Sequence, residues 1–145
     1  MSIITASEAR EQLKNETPWI RKGREQIWFL DPTYEKLCLS DLKLVVKACS
    51  VKHFQFIPDV WDCDNFMLHL LSRSRQLQYD LLKAYPKQEK QYPWMMTMII
   101  CNHNAYRGIH GMNMAITSDA GIQYIEPQTN EISSVLNGEL LFVFG

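Results

Sequence analysis

The stretch DCDNFMLHLLSRSRQLQYDLL, Asp62 to Leu82, decides the fold class, because its period is helical while the segments downstream of it are not. Phe66, Met67, Leu70, Leu71, Leu77, Leu81 and Leu82 recur at steps of three and four, with Arg73, Arg75 and Asp80 between them, the pattern of an amphipathic helix. Projected back by one turn, the same face takes in Cys63, which predicts a thiol in the first turn of a long buried helix, pointing inward. Beyond Pro93 the period becomes two: Met112, Met114 and Ile116 alternate with Asn113, Ala115 and Thr117, and Ile122, Tyr124 and Glu126 alternate with Gln123, Ile125 and Pro127. Helices first and an antiparallel sheet afterwards define an α+β domain.

Working outward, Thr5 and Glu8 form a capping box that predicts a short helix ending near Lys14. Residues 17–31 read as irregular or short extended structure. Pro32 to Cys49, with apolar positions from Leu37 to Ala48, predicts one or two helices, with Ser40 as an N-cap inside that span. Phe54 to Trp61, broken by Pro58, reads as a loop or a short extended approach, and Lys83 to Pro93 as a polar connector. Trp94 to Cys101 is apolar enough for a buried strand, Leu140 to Phe144 is a last strand, and Ser118-Asp119-Ala120-Gly121 is a turn by composition.

The bulk numbers exclude several classes. A chain of 145 residues, 46% hydrophobic and 21% charged, fits one ordinary globular domain. A net charge of −1 leaves no basic footprint for nucleic acid; the densest basic run, Arg21-Lys22-Gly23-Arg24, reads as a solvated turn. Six Gly and six Pro form no low-complexity segment. Met1 to Thr5 lacks the charged n-region and apolar run of a signal peptide, and no apolar run approaches the roughly 20 residues of a membrane span. A cytoplasmic protein without a membrane or nucleic-acid partner is therefore expected. Cys38, Cys49, Cys63 and Cys101 show no CxxC spacing and read as reduced thiols, three of them inert in the core.

Cys63 is the exception worth arguing. A cysteine at a helix N-terminus faces unpaired N–H groups and the positive end of the macrodipole, which favour a thiolate and can hold an oxyanion. Its flanks, Asp62 and Asp64, work against ionisation; one could cap the helix and the other bind a hard cation, with Asp59 and Asn65 near enough to add oxygens. The candidate base is His110, at the start of the alternating strand. The candidate carboxylate behind it is Glu126, which interrupts an apolar run.

Whether these meet depends on register. A four-residue loop over residues 117–120 pairs Ile116 with Gly121 and sets Glu126 opposite Gly111, beside His110, with a bulge at Gly121 completing the alignment. A two-residue loop at Asp119-Ala120 sets it opposite Asn113, out of reach. A cysteine, a histidine and a carboxylate in that order, on a helix and then on strands, is the arrangement of papain-like enzymes.

Asp62-Cys63-Asp64-Asn65-Phe66, His110-x-x-Asn113 and Ile125-Glu126-Pro127-Gln128-Thr129-x-Glu131-Ile132 together resemble the C-terminal domain of the fairy-ring mushroom agglutinin and its relatives. The likeness covers roughly residues 35–135, and its Glu-Pro-Gln segment is the most specific part. It implies one papain-like cysteine peptidase domain over residues 1–145. Cys63 would be the nucleophile, His110 the base, Glu126 the third member and Gln128 an oxyanion support, acting on a peptide or protein through a thioester. It also implies calcium as a cofactor, held at Asp62 and Asp64. No trefoil lectin segment accompanies these residues, so the sugar specificity of the fungal proteins is not implied, and Gly111 stands where the family often has another small residue.

Two rival readings use the same residues. In one, the papain-like scaffold is catalytically inactive and serves as a protein-binding or structural module, with Met95, Met96, Met98, Met112 and Met114 as an adaptable surface. In the other, Asp62, Asp64, His110 and Glu126 hold a catalytic metal directly. Phe56 and Trp61 are candidates to line a cleft, although core packing is the commoner role of buried aromatics.

Overall fold

The computed structural model describes residues 1–106 and 108–145. Its centre is a six-stranded sheet ordered β2-β8-β4-β5-β6-β7, accompanied by a two-stranded ribbon of β1 and β3. The strands are β1 (Ser2–Thr5), β2 (Gln26–Trp28), β3 (Thr33–Lys36), β4 (Met96–His103), β5 (Ile109–Thr117), β6 (Gly121–Glu126), β7 (Glu131–Ser133) and β8 (Gly138–Phe144). Three helices, α1 (Ala6–Glu16), α2 (Leu39–Ala48) and α3 (Cys63–Ala84), complete the fold.

Two features correct the expected architecture. The sheet is mixed: β2, from the N-terminal third, runs parallel to β8, with Ile27 beside Val143. The N-terminal region is also not helical throughout, since β1, β2 and β3 precede α2. A three-residue strand such as β2 is too short to show a period of its own, and only its partner β8 makes it a strand.

Alternation along β4, β5 and β6 divides the core. Ile99, Cys101, Met112, Met114, Ile116 and Tyr124 join Ala9 and Leu13 of α1 in one cluster. Met96, Ala115 and Ile125 join Leu42, Val45 and Val46 of α2 and Phe66 and Leu70 of α3 in the other. The methionines are accordingly core residues on both faces: Met95, Met96, Met98, Met112 and Met114 are all buried.

The caps explain where the helices begin. Thr5 accepts from the Glu8 amide at 3.2 Å, and Glu8 accepts from the Thr5 amide at 2.8 Å, so α1 opens on the expected capping box. Helix α2 is capped from elsewhere: Asp119 Oδ1, in the β5–β6 turn, accepts from the Leu39 amide at 2.8 Å, and Cys38 rather than Ser40 is the N-cap residue. Helix α3 buries Phe66, Met67, Leu70, Ser74 and Gln78. Its C-terminal half thus turns a polar stripe inward, where Gln78 donates to Tyr92 O at 2.8 Å and accepts from the Trp94 amide at 3.0 Å. These bonds hold the 83–93 connector where an apolar side chain could not. Among the described residues, no helix is long and apolar enough to cross a membrane.

Candidate functional site

Cys63 is the first residue of α3 and is half-buried rather than inward-facing. The Asn65 side chain accepts from the Asp62 amide at 3.2 Å, which ties the two residues flanking the helix start together. Cys63, Phe56, Tyr106, Ile109, His110 and Gln128 line one cavity of about 390 Å³. The structure therefore brings thiol, imidazole and the Gln128 side chain to one space, although they arise from a helix, a strand and a turn.

The β5–β6 hairpin settles the register. Thr117 pairs with Gly121 across the three-residue loop Ser118-Asp119-Ala120, and Asn113 pairs with Ile125. Gly121 closes the loop at φ +67, a left-handed conformation that glycine adopts without strain. Continuing the ladder by one residue sets Glu126 beside Met112, a pairing between the two expected from the turn composition. It also differs in kind: opposite Gly111, the carboxylate would have faced away from His110. In the observed register Glu126, Met112 and His110 share a face, and His110 is the diagonal neighbour of Glu126, within reach of a long side chain.

The result is a buried pair. His110 Nε2 lies 2.5 Å from Glu126 Oε2, with His110 2% and Glu126 7% exposed. Glu126 Oε1 accepts from the Gln128 amide at 3.1 Å, so both carboxylate oxygens are engaged. Among the described residues, neither His110 Nδ1 nor the Cys63 thiol makes a hydrogen bond. A carboxylate on one ring nitrogen orients the imidazole and stabilises its charged form, leaving the other nitrogen to exchange a proton with a neighbour.

Two neighbours were not legible in the sequence. The Tyr106 ring stacks on His110 with centroids 3.8 Å apart and planes 8° from parallel. It borders both the Cys63 cavity and a second hollow of about 430 Å³ that is also lined by His103, Glu126, Glu131, Ser133 and Asn137. His103 packs edge-on to the His110 ring, and burial, then the nearby His110, lowers its pKa. No spacing rule places a loop tyrosine over a strand histidine. Of the cleft candidates, Phe56 lines the cavity, whereas Trp61 packs against Phe54 at 4.6 Å and against His69.

The remaining thiols separate by environment. Cys101 is buried and pushed up to about 12, first by burial and then by the charges of Glu126 and Cys63. Burial also raises Cys49. Cys38 is half-buried at the α2 cap rather than in the core. At the head of α3, Asp62 is raised above 3.8 by the hydrogen bond and charge of Asp64 together with burial, and its Oδ1 is buried without a hydrogen-bond partner. Among the described residues, no group of three or more His, Cys, Asp and Glu is placed to hold a metal, so the four-residue catalytic metal centre is not formed.

No protein-family model matches the chain, and no curated protein matches its sequence. Solved structures do. One, described as a PSL1a–E64 complex, superposes with a TM-score of 0.80 at 14% identity over 99% of this chain and 50% of that chain. Another is Polyporus squamosus lectin bound to the human-type influenza-binding epitope Neu5Acα2-6Galβ1-4GlcNAc, with a TM-score of 0.77 at 13% identity over 99% of this chain and 49% of that chain. The chain thus spans about half the length of the structures it matches, and at these identities the likeness shows the fold.

That finding corrects the reading drawn from motifs. In place of the papain-like peptidase domain of the fairy-ring mushroom agglutinin family stands a fold with a mixed sheet that superposes on about half of the Polyporus squamosus lectin chain. The expected cysteine hydrolase or peptidase activity, argued from the order of the three residues as well as from the resemblance, and its peptide or protein substrate are corrected with it: a solved structure of this fold is a lectin bound to a glycan epitope. The physical reason is that a motif of a few residues constrains a local constellation and leaves the topology around it open.

Proposed function

We propose that this chain is a ligand-binding module whose site is the cavity holding Cys63, with His110 as the proton acceptor for the thiol, Glu126 as the residue orienting that ring and Gln128 as a side-chain donor at the rim. One observation carries the reading: His110, held at 2.5 Å by the buried Glu126 behind it, borders the same cavity as a half-exposed thiol at a helix N-terminus. A helix N-terminus and a neighbouring imidazole are surroundings in which a thiol reacts readily.

The test is alkylation with iodoacetamide near neutral pH, in which the C–I bond breaks and iodide departs. A single adduct at Cys63 is expected, forming roughly 100-fold more slowly in His110→Ala, the usual size of a general-base contribution. Equal, slow labelling of Cys38 and Cys63 would sink the proposal.

A hard cation such as calcium at Asp62 and Asp64 belongs to the same proposal. The orphaned Asp62 Oδ1 and the crowding of two carboxyls suit a divalent ion in charge. They supply two of the roughly six to eight oxygens calcium takes, and backbone carbonyls and water would have to add the others.

A second reading is a saccharide ligand, favoured by the lectin neighbour and by the 430 Å³ hollow. Tyr106, 41% exposed, offers an aromatic face, and Glu131, Ser133 and Asn137 offer hydrogen bonds, the mixture that a ring with apolar C–H faces and hydroxyl edges requires. Calorimetric titration with Neu5Acα2-6Galβ1-4GlcNAc should show saturable binding that Tyr106→Ala weakens. Heat no greater than dilution at millimolar trisaccharide would dispose of it.

A further inference from the structure

We infer that Gly111 and Asn113 are positioning residues that set the gap between the Cys63 thiol and the His110 imidazole by clamping the first two turns of α3 onto β5; the inference rests on the thiol-centred reading above. The need for a clamp follows from strand geometry. Successive side chains of β5 point to opposite faces of the sheet. His110 lies on the face of Met112 and Met114, whereas Gly111, Asn113 and Ala115 lie on the face covered by α3. Thiol and imidazole therefore start on opposite sides of one strand. They can share a cavity only near its end, and only where the helix comes unusually close to the backbone.

Gly111 permits that approach. A Cβ at this position would stand 2.9 Å from Met67 Sδ, 3.3 Å from the Cys63 carbonyl oxygen and 3.4 Å from its carbon. The conformation is not what demands glycine, because Gly111 is outside the left-handed region. Space demands it: the residue whose carbonyl would be touched is Cys63 itself. Even one methyl would push on the backbone that carries the thiol.

Asn113 supplies the second point of attachment. It is fully buried, and its Nδ2 donates to Met67 O at 3.0 Å and to Thr97 O at 3.3 Å. Met67 is one turn beyond Cys63, so the amide joins that turn to both β5 and β4. Its Oδ1 is buried without a partner, an uncommon arrangement in a core that an apolar residue of similar size would avoid. Contacts one turn apart restrain both the distance and the tilt of the helix start. Misplacing a reacting group by about 1 Å can cost on the order of 100-fold in rate.

The experiment compares wild type, Gly111→Ala, Asn113→Leu and His110→Ala by the rate of iodoacetamide addition to Cys63 as a function of pH, with folding checked by circular dichroism. The expected result is that both clamp variants fold. Each should lose roughly 10- to 100-fold in labelling rate at pH 7, and the pH midpoint should move toward that of His110→Ala. A merely structural role would lower the melting temperature and leave rate and midpoint unmoved, which overturns the inference. If wild-type Cys63 is itself not selectively labelled, the thiol-site reading fails and takes the inference with it. Should Gly111→Ala not fold, Asn113→Leu decides alone. Should both unfold, the His110 NMR titration in wild type before and after Cys63 alkylation decides: no change means there is no coupled gap to set.

Discussion

The two faces of β5 do different work, although they are built from alternating residues of one strand. The face of His110, Met112, Met114 and Ile116 belongs to the core cluster that includes Ala9 and Leu13 of α1, and it carries the pair of His110 with Glu126 at the strand's start. The face of Gly111, Asn113 and Ala115 receives α3 and has given up side-chain bulk at its first position. One face holds the base, and the other holds the element that brings the thiol. A site of this kind needs no residue on β5 to be both; it needs the strand to end where the two faces can be bridged.

The comparison can be broken at several points. The largest effect is expected from Leu70→Ala, which empties the centre of the helix-bearing face. Loss of a fully buried leucine costs about 3 kcal/mol, read as a fall in the urea midpoint. The His110 face should stay ordered up to global unfolding; separate unfolding of the two faces would show that they are not one cooperative core.

Next is Glu126→Gln, which keeps volume and removes charge. Cys63 alkylation at pH 7 should slow about tenfold while the fold persists, because the imidazolium loses its counter-charge. An unchanged rate would mean that the pair is structural only.

The smallest effect concerns the head of α3. Asp62 binds its proton more tightly in the folded chain than its ordinary value of 3.8, chiefly through Asp64. The folded state therefore holds more protons than the unfolded one, and stability should fall as pH rises from about 3.8 through the raised value. Asp64→Asn should shrink that fall, and millimolar calcium should abolish it. A melting temperature indifferent to calcium across this range would remove the cation from the proposal.

Legibility followed the strength of the local signal. Helix α1 was readable because its capping box is a local device, and α3 because its apolar period runs for turns. The β5–β6 hairpin was readable because period-two alternation flanks a Ser-Asp-Ala-Gly turn. Strands β2 and β7, three residues each, were not, since neither is long enough to alternate. Ser40 was a reasonable cap by composition, yet Asp119 supplies the bond from 80 residues away. In the site, Cys63, His110, Glu126 and Gln128 were selected by residue type and position. Tyr106 was not, because a loop residue carries no periodicity.

By itself the sequence determined which residues could carry chemistry and which elements would bear them, because helix starts, alternation and turn residues are local properties of the chain. Tertiary structure decided the rest: a three-residue loop put Glu126 on the face of His110, a glycine without a side chain let the helix lie against the strand, and a strand from the first third of the chain joined the sheet in parallel. Each of these is a pairing between distant residues, and a pairing is set by the packing of whole surfaces rather than by the composition of either partner.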